Sequence, residues 1–521
     1  MISDIFWFLH LYYEFYFYLF AGCIGSSVGY FFLKSKSGQM LSIKINCLII
    51  IGCFTVNSFI SILLKHHLRT FNEFRQPYIE IILFKLFISI AFGSMCVPCF
   101  KYASILIKYL TNTRLFKRNQ YGIIIFMTTI AHLILNLPAT LNCWCTVWYV
   151  TDYSMGIGSR FFIGTFLKLF YDEYLEEKIA YRFCIGALII IIALVSYLLN
   201  EVIIKSKAEH KKGVLFIILL FIASPGYVSA MWSSENMGRL ETYTFLLSLL
   251  SVIMFTVINN IYIRYITITV FSCISMAIYQ GNLFMYYPII LMLIVWDCLR
   301  SCKYLFQKRV LGLVSVVTTI ISFIFFQFCS YTIFENAGEM VAAIREKTNI
   351  TIEEGAVNFE LFQSLITAYD SVTISYLNDA LPRERTFLTY LLLCPLVVLV
   401  IAIYLKCRKE RQVRKAHILS EPYIYFVILN FAIVPQFVLN TDWGRWMIAI
   451  HIISFFGILY LIYQKDCGML KALDVLNEFI NNHMFLSIMI VVYLAGLNKF
   501  LGRVFIPETE ALMSILSKLL Y

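Results

Sequence analysis

The sequence predicts an all-α fold, a polytopic transmembrane helical bundle of about 12–14 spans with short amphipathic helices on its outer face. Three observations predict it. Of the 521 residues, 60% are hydrophobic and only 14% charged, with a mean hydropathy of +0.79, whereas a soluble domain carries roughly a quarter charged residues. Apolar runs of about twenty residues, each long enough to cross a hydrocarbon core as a helix, recur along the chain. Basic clusters occupy alternate connections between those runs. They comprise Lys34 and Lys36, then Arg114, Lys117 and Arg118, then Lys205, Lys207, Lys211 and Lys212, then Lys303, Lys308 and Arg309, and finally the run KCRKERQVRK at 406–415.

In order, the runs fall at 11–33, 42–64, 79–104, 122–141, 181–203, 213–231, 242–258, 267–279, 283–296, 310–332, 386–405, 422–439, 446–463 and 484–497. The first residues lack the basic flank of a signal peptide, so the first run is read as a retained span. The pair around Gln280-Gly281-Asn282 is short and reads as two tilted helices or one broken one. No polar stretch is long enough for a separate soluble domain, so residues 1–521 are read as a single integral membrane domain. The longest polar stretch, 335–385, has apolar residues at helical spacing (Phe359, Leu361, Phe362, Leu365, Ile366). It is expected to form two or three amphipathic helices on the outer surface; within it, Asn349-Ile350-Thr351 matches a glycosylation sequon. Before the last span, Lys471, Asp474 and Glu478 alternate with Leu473, Leu476 and Phe479, the pattern of an interfacial helix.

The formal charge of +11 does not mark a nucleic-acid binder, because the basic residues sit between apolar runs. They are topology signals: positive connections stay inside. The fifteen cysteines lie mostly within the runs (Cys23, Cys47, Cys53, Cys273, Cys329, Cys394), where Cys acts as a small hydrophobe. Cys96 and Cys99 form a CxxC inside a span with no second pair, which argues against a metal or redox centre. The sequence holds no phosphate-binding P-loop, no nucleophile elbow and no HExxH, so nothing in it supports nucleotide hydrolysis or a zinc mechanism.

With the basic connections inside, the remaining ones face outward, and they hold the chemistry-bearing residues. Residues 151–164, TDYSMGIGSRFFIG, place Asp152 and Arg160 among small and turn-forming residues. Three outward turns share an acid followed by glycine and arginine. Asp152 precedes Gly158-Ser159-Arg160, Glu235 precedes Gly238-Arg239, and Asp442 precedes Gly444-Arg445. A guanidinium in a glycine turn reaches an oxyanion while nearby amides complete the anion nest. Each such arginine on its own is equally served by a local salt bridge or by lipid phosphate. Gln280, Asn282, Tyr286 and Tyr287 form a polar break at membrane depth, tolerated where backbone lines a cavity. Trp443 and Trp446 bracket Arg445, and Trp144 and Trp148 precede Asp152, as interfacial anchors or as faces for sugar rings. Asp172, Glu173, Glu176 and Glu177 read first as a solvated face and second as a divalent-cation site. His132 and His451, inside spans, read as packing residues.

The loop acid, the amphipathic segment, the many spans and the phosphate-aimed arginines resemble the class C membrane glycosyltransferases that use polyprenyl-phosphate-linked sugars. The resemblance is to architecture and short motifs. It implies an inverting transferase in the plasma or inner membrane, with its active site on the outer side, working in cell-surface polysaccharide synthesis. Its partners would be a polyprenyl-phosphate-linked sugar, a glycan or lipid-linked acceptor, and membrane lipids. Carried over residue by residue, Asp152 matches the loop carboxylate that acts as general base. Arg160, Arg239 and Arg445 match the clamp on the lipid phosphate, with Glu235 and Asp442 as supporting acids. Gln280, Asn282, Tyr286 and Trp443 would line the acceptor side. Two alternatives stay open: a repeat-unit polymerase of the O-antigen or capsule type, and a lipid-linked oligosaccharide flippase or other transporter. A transporter calls for charges deep in its spans, and here Glu14 and Lys85 are the main ones.

Overall fold

A computed structural model of the chain describes residues 114–136, 141, 143–171, 174–223, 227, 237–300, 304–362, 422–439 and 443–498. The expected spans at 11–33, 42–64, 79–104 and 386–405 and the basic run 406–415 lie outside these residues. The chain divides into two compact units, one of Met1–Leu137 with Pro507–Tyr521 and one of Pro138–Ile506.

Within the first unit the described part is one helix, α1, Arg114–Asn136. It starts before the apolar run expected at 122–141 and takes in Arg114, Lys117 and Arg118. Straight-chain basic residues are good helix formers and let a helix continue beyond its apolar stretch. Thr128 and Thr129 satisfy their hydroxyls on the carbonyls of Ile124 and Ile125, at 2.6 and 2.7 Å.

In the second unit, α2 (Cys143–Thr146) passes into a 3₁₀ turn, Val147–Tyr149, and an irregular loop follows with strand β1 (Gly156–Ile157) and the short helix α3 (Phe162–Leu167). The long helices are α4 (Glu177–Lys205), α5 (Lys211–Ala223), α6 (Glu241–Val257) and α7 (Ile261–Ile278). Next come α8 (Asn282–Met285), α9 (Tyr287–Arg300), α10 (Leu305–Phe328), strand β2 (Tyr331–Thr332), α11 (Ala337–Arg345) and α12 (Glu354–Val357). The last described elements are α13 (Pro422–Asn430), α14 (Val434–Leu439), α15 (Trp443–Tyr463), α16 (Cys467–Asn482) and α17 (Met484–Asn498). The described chain is therefore mostly helical. Helices α4, α7 and α10 are long and apolar enough to cross a membrane, and a fourth span is counted if the bent pair Ile448–Tyr463 and Cys467–Asn482 is one. Helices α6 and α9 are apolar but shorter.

Helix α7 packs between α6 and α10, and α4 packs against α6 and α15. On α10 the buried residues are Gly312, Ser315 and Thr319, and Ser315 accepts from Thr269 of α7 at 2.8 Å. Leu313, Ile321 and Phe328 are meanwhile exposed on the same helix. Small and hydroxyl residues at the helix contact with large apolar ones outside is the pattern of a helix in lipid, where the surrounding solvent is itself apolar. The break at Gln280 is a hairpin of two helices. Residues at the start of α7 meet residues at the end of α9, with the Tyr265 hydroxyl donating to the Asp297 carboxylate at 3.2 Å.

Side-chain contacts sort the connections into two ends. At one end Tyr149 meets Tyr243 at the start of α6, Ser159 meets Gln280 after α7, and Thr332 after α10 donates to the Met155 carbonyl. At the other, Lys205 at the end of α4 lies over Tyr463 at the end of α15, and Lys308 at the start of α10 meets Asp297. The basic connection Lys205–Lys212 and the basic residues Lys308 and Arg309 thus share an end. The loops carrying Asp152, Arg239, Gln280 and the first half of 335–385 share the opposite one.

Where the sequence suggests an interfacial helix before the last span, the structure has the helix α16, set at a bend of 104° to α15. Its buried face includes Met469, Leu473 and Ile480. Asn477 accepts from the Gly213 amide at 2.6 Å and donates to the Glu209 carbonyl at 2.8 Å, which fixes α16 across the turn between α4 and α5.

Candidate functional site

The loop between α2 and α4 is built around Asp152. Its backbone is extended, and its carboxylate caps the 3₁₀ turn Tyr153–Met155 by accepting the Ser154 amide at 2.7 Å. Asp suits this position because its oxygen replaces a partner that the first turn leaves missing. The second carboxylate oxygen is 2.8 Å from the ammonium of Lys168, just past α3; the Asp152 side chain is 4% exposed and that of Lys168 46%. Burial pushes the Asp152 carboxyl up, but the hydrogen bonds from Lys168 and Ser154 outweigh it and hold the group below the ordinary carboxylate value. A buried, ionised carboxylate is therefore kept in place by a cation that itself reaches solvent.

Two contacts lock the loop. Thr165 donates to the Phe161 carbonyl at 2.8 Å and accepts the Tyr153 amide at 3.0 Å, tying α3 back to the residue after Asp152. Gly164 lies against the Thr151 carbonyl so closely that a Cβ there would stand 2.0 Å from the oxygen. Only glycine lets the helix approach that backbone.

Arg160 is held between aromatic faces, its guanidinium carbon 5.2 Å from the Trp148 ring centre and 4.9 Å from that of Tyr279. Trp148 is fully buried, and among the described residues its indole N–H has no hydrogen-bond partner. The neighbouring Ser159 donates to the Gln280 side-chain oxygen. The turn before Arg239 is pinned to the same loop: the Tyr149 hydroxyl lies 2.9 Å from the Gly238 carbonyl and 2.7 Å from the Tyr243 hydroxyl. Gly238 has φ +88, a conformation that favours glycine.

The expected site residues are thus distributed as follows. Asp152, Arg160, the Arg239 turn and Gln280 belong to one assembly. Asn282, in α8, has no exposed surface, and neither side-chain amide atom has a partner among the described residues; α8 packs against α14 and α15. Tyr286 is buried beside Phe245, ring centres 4.8 Å apart, so it packs in the core. Gly444 and Arg445 stand in the first turn of α15, where a tight loop was expected. The side chains of Arg445 and Trp443, and residues Glu235, Asp442, Asp172 and Glu173, lie outside the described residues. Among the described residues, no three His, Cys, Asp or Glu side chains converge as a metal site.

Sequence reasoning missed Lys168, Tyr149 and Tyr279. A lysine directly after the apolar run Phe161–Leu167 was the available signal for the first. The tyrosines are indistinguishable by sequence from the many others in the spans.

A segment from further along the chain closes over this loop. Strand β2 pairs antiparallel with β1, Gly156 opposite Thr332 and Ile157 opposite Tyr331. Thr146 donates to the Thr351 carbonyl at 2.7 Å, and Thr348 to the Leu175 carbonyl at 2.6 Å. The Leu175 amide donates to the Lys347 carbonyl at 2.8 Å, and the Glu177 amide to the Asn349 side chain at 2.8 Å. Comparison of the sequence with family models, and of the chain with curated proteins and with solved structures, gave no match.

Proposed function

We propose that the chain is a membrane glycosyltransferase that moves a sugar from a polyprenyl-phosphate donor to a glycan or lipid acceptor, in cell-surface polysaccharide synthesis at the outer face of the membrane. The observation that carries this reading is the buried, ionised Asp152 paired with the half-exposed Lys168, in the same loop as an arginine fixed between two rings. In this reading a donor phosphate draws the Lys168 ammonium away. Burial, no longer opposed, then raises the Asp152 pKa toward the range in which a carboxylate is an effective base. The acceptor hydroxyl attacks the anomeric carbon, the bond from that carbon to the phosphate oxygen breaks, and Asp152 takes the hydroxyl proton. Arg160 and Arg239, with Arg445 from the first turn of α15, offset the charge growing on the departing polyprenyl phosphate.

The strap of residues 331–352 also favours a second reading, a repeat-unit polymerase, because a long loop over the site suits the holding of an oligosaccharide chain.

The test is on purified protein. Wild type is expected to bind polyprenyl phosphate, and sugar transfer from a polyprenyl-phosphate-linked donor to fail in Asp152→Asn. A wild-type protein that binds no polyprenyl phosphate, or an Asp152→Asn protein with undiminished transfer, sinks the proposal. A donor requirement for pyrophosphate selects the polymerase.

A further inference from the structure

The segment that joins α3 to α4 exposes large apolar side chains for which the Asp152 pair has no use. Leu169 is 76% and Phe170 63% exposed, and Phe166 and Tyr174 are exposed as well. Lys168, the half-exposed partner of Asp152, stands among them. Apolar residues grouped in this way on a surface mark a contact with a protein or a membrane. We infer that residues 166–170 are seated in the lipid leaflet at the Asp152 end, with Leu169 and Phe170 among the acyl chains and the Lys168 ammonium at the level of the lipid phosphates.

Ring contacts fix the level of this segment. Phe170 packs on Phe166 with centres 5.4 Å apart, Phe166 on Phe183 of α4 at 5.9 Å, and Phe183 on Tyr243 of α6 at 5.3 Å. Helix α4 begins at Glu177, so Phe183 lies about 9 Å along its axis. The chain before α4 therefore folds back beside the helix instead of standing off its end. Helix α4 also marks where the bilayer begins. Glu176, Lys178 and Arg182 are exposed around its first turns, and the next charged residue is Glu201. The uncharged stretch from Phe183 to Asn200 is about 27 Å long, close to the hydrocarbon thickness of about 30 Å. Phe183 thus stands at the boundary of the hydrocarbon, and Phe166 stands beside it.

Lipid is the occupant because the patch lies at the level where α4 turns its apolar side chains outward. Beyond Phe183 the exposed large residues of α4 are Ile189, Ile190 and Tyr197 before the next charge, and the helix is long and apolar enough to cross a membrane. A lysine flanked by leucine and phenylalanine suits that boundary, because its stem lies along apolar surface while its ammonium stays in the polar layer. Phosphates are the anions of that layer. The Asp152–Lys168 pair is thereby set where a lipid-borne phosphate arrives. The inference requires α4 to span the membrane and does not require the transferase reading.

The test uses the full-length chain with its native cysteines replaced and a single new one, Leu169→Cys, Phe170→Cys or, as the water-side control, Glu176→Cys. Each is labelled with an environment-sensitive fluorophore and reconstituted in phosphatidylcholine vesicles. Lipid carrying a doxyl group high on its acyl chain is expected to cut emission at 169 and 170 at least about twofold, as for side chains about 5–10 Å into the boundary. Iodide in the water is expected to quench the label at 176 alone. Iodide quenching at 169 and 170 equal to that at 176 overturns the inference. Protection of 169 and 170 from both quenchers assigns the patch to a protein contact and overturns it as well. If the cysteine-replaced chain fails to fold, Phe170→p-benzoylphenylalanine in the chain with its own cysteines decides. Irradiation in the same vesicles is expected to give lipid adducts, and adducts to protein only, or none, sink the idea. No donor and no transfer enter these measurements, so their outcome is separate from that of the transferase reading.

Discussion

Asp152 caps a turn and holds a charge, and substitution separates the two. Asparagine caps about as well as aspartate, so Asp152→Asn keeps the bond to Ser154 and loses the carboxylate. Transfer is expected to fall by about 100- to 10,000-fold, the usual weight of a general base, while binding of polyprenyl phosphate survives. Measuring binding and transfer separately on one preparation distinguishes this from a structural defect, which would lower both. Lys168→Gln gives a complementary readout. With the pairing gone, burial alone acts on Asp152 and its pKa rises, so the acid limb of the pH–rate profile moves to higher pH; an unmoved limb removes Asp152 from the base role. The sign for stability follows from the same shift. The folded group holds its proton less tightly than the unfolded one, whose value is 3.8, so the pair's contribution is complete above that pH and fades as pH falls through the lowered folded value. The thermal-midpoint gap between wild type and Asp152→Asn is therefore expected to shrink in acid below about pH 4.

Among the elements, the strap of residues 331–352 was expected only as surface helices, and its pairing with the Asp152 loop had no local signal. Apolar runs gave the positions of α4, α6, α9, α10 and α15, because burial in lipid needs only length and hydrophobicity. The amphipathic spacing around Leu473 likewise marked α16. The three acid-glycine-arginine turns were visible as motifs, yet their fates differ. Gly238-Arg239 is a turn pinned by Tyr149, Arg160 is gripped by rings, and Gly444-Arg445 begins a helix. Which partner a charge finds depends on tertiary placement: Lys168 reaches Asp152 from sixteen residues away, and no spacing rule points to that pair. The strap buries Met340, Val341 and Ile344 on one face of α11, but its hydrogen bonds join segments far apart in sequence, and a local pattern does not name such a partner. It is testable at Thr348, whose hydroxyl donates to Leu175 and accepts the Ile350 amide. Thr348→Val keeps the shape, removes both bonds and leaves a buried carbonyl unpaired, at a cost of about 1–3 kcal/mol. Faster hydrogen exchange at the Leu175 and Ile350 amides is the expected signature; unchanged exchange contradicts the strap.

For the molecule as a whole, the two ends make a prediction about sidedness. The Lys205 end carries the basic residues of 205–212 with Lys308 and Arg309 and is expected to lie inside; the Asp152 end is expected to lie outside. Two native cysteines already mark them. Cys329, after α10, and Cys467, at the start of α16, are both exposed. With the remaining cysteines replaced, a membrane-impermeant thiol reagent added to intact cells should label Cys329 and spare Cys467. Equal labelling of both would break the two-ended arrangement, and with it the placing of the arginine turns on one face.

The distance in sequence between the Asp152 loop and its strap also bears on how the protein is made. Thr146 and Thr351 are 205 residues apart. At a synthesis rate of about 5–20 residues per second, the loop waits roughly 10 to 40 s for its partner to leave the ribosome. Throughout that interval the strand at Gly156 has no mate, the Leu175 carbonyl is unpaired, and α10 must enter the bilayer before either can be satisfied. Assembly of this end is thus a late event in biogenesis, timed by insertion rather than by local folding. A released chain ending at residue 328 should be cut by protease within 143–177, and one ending beyond residue 352 should resist.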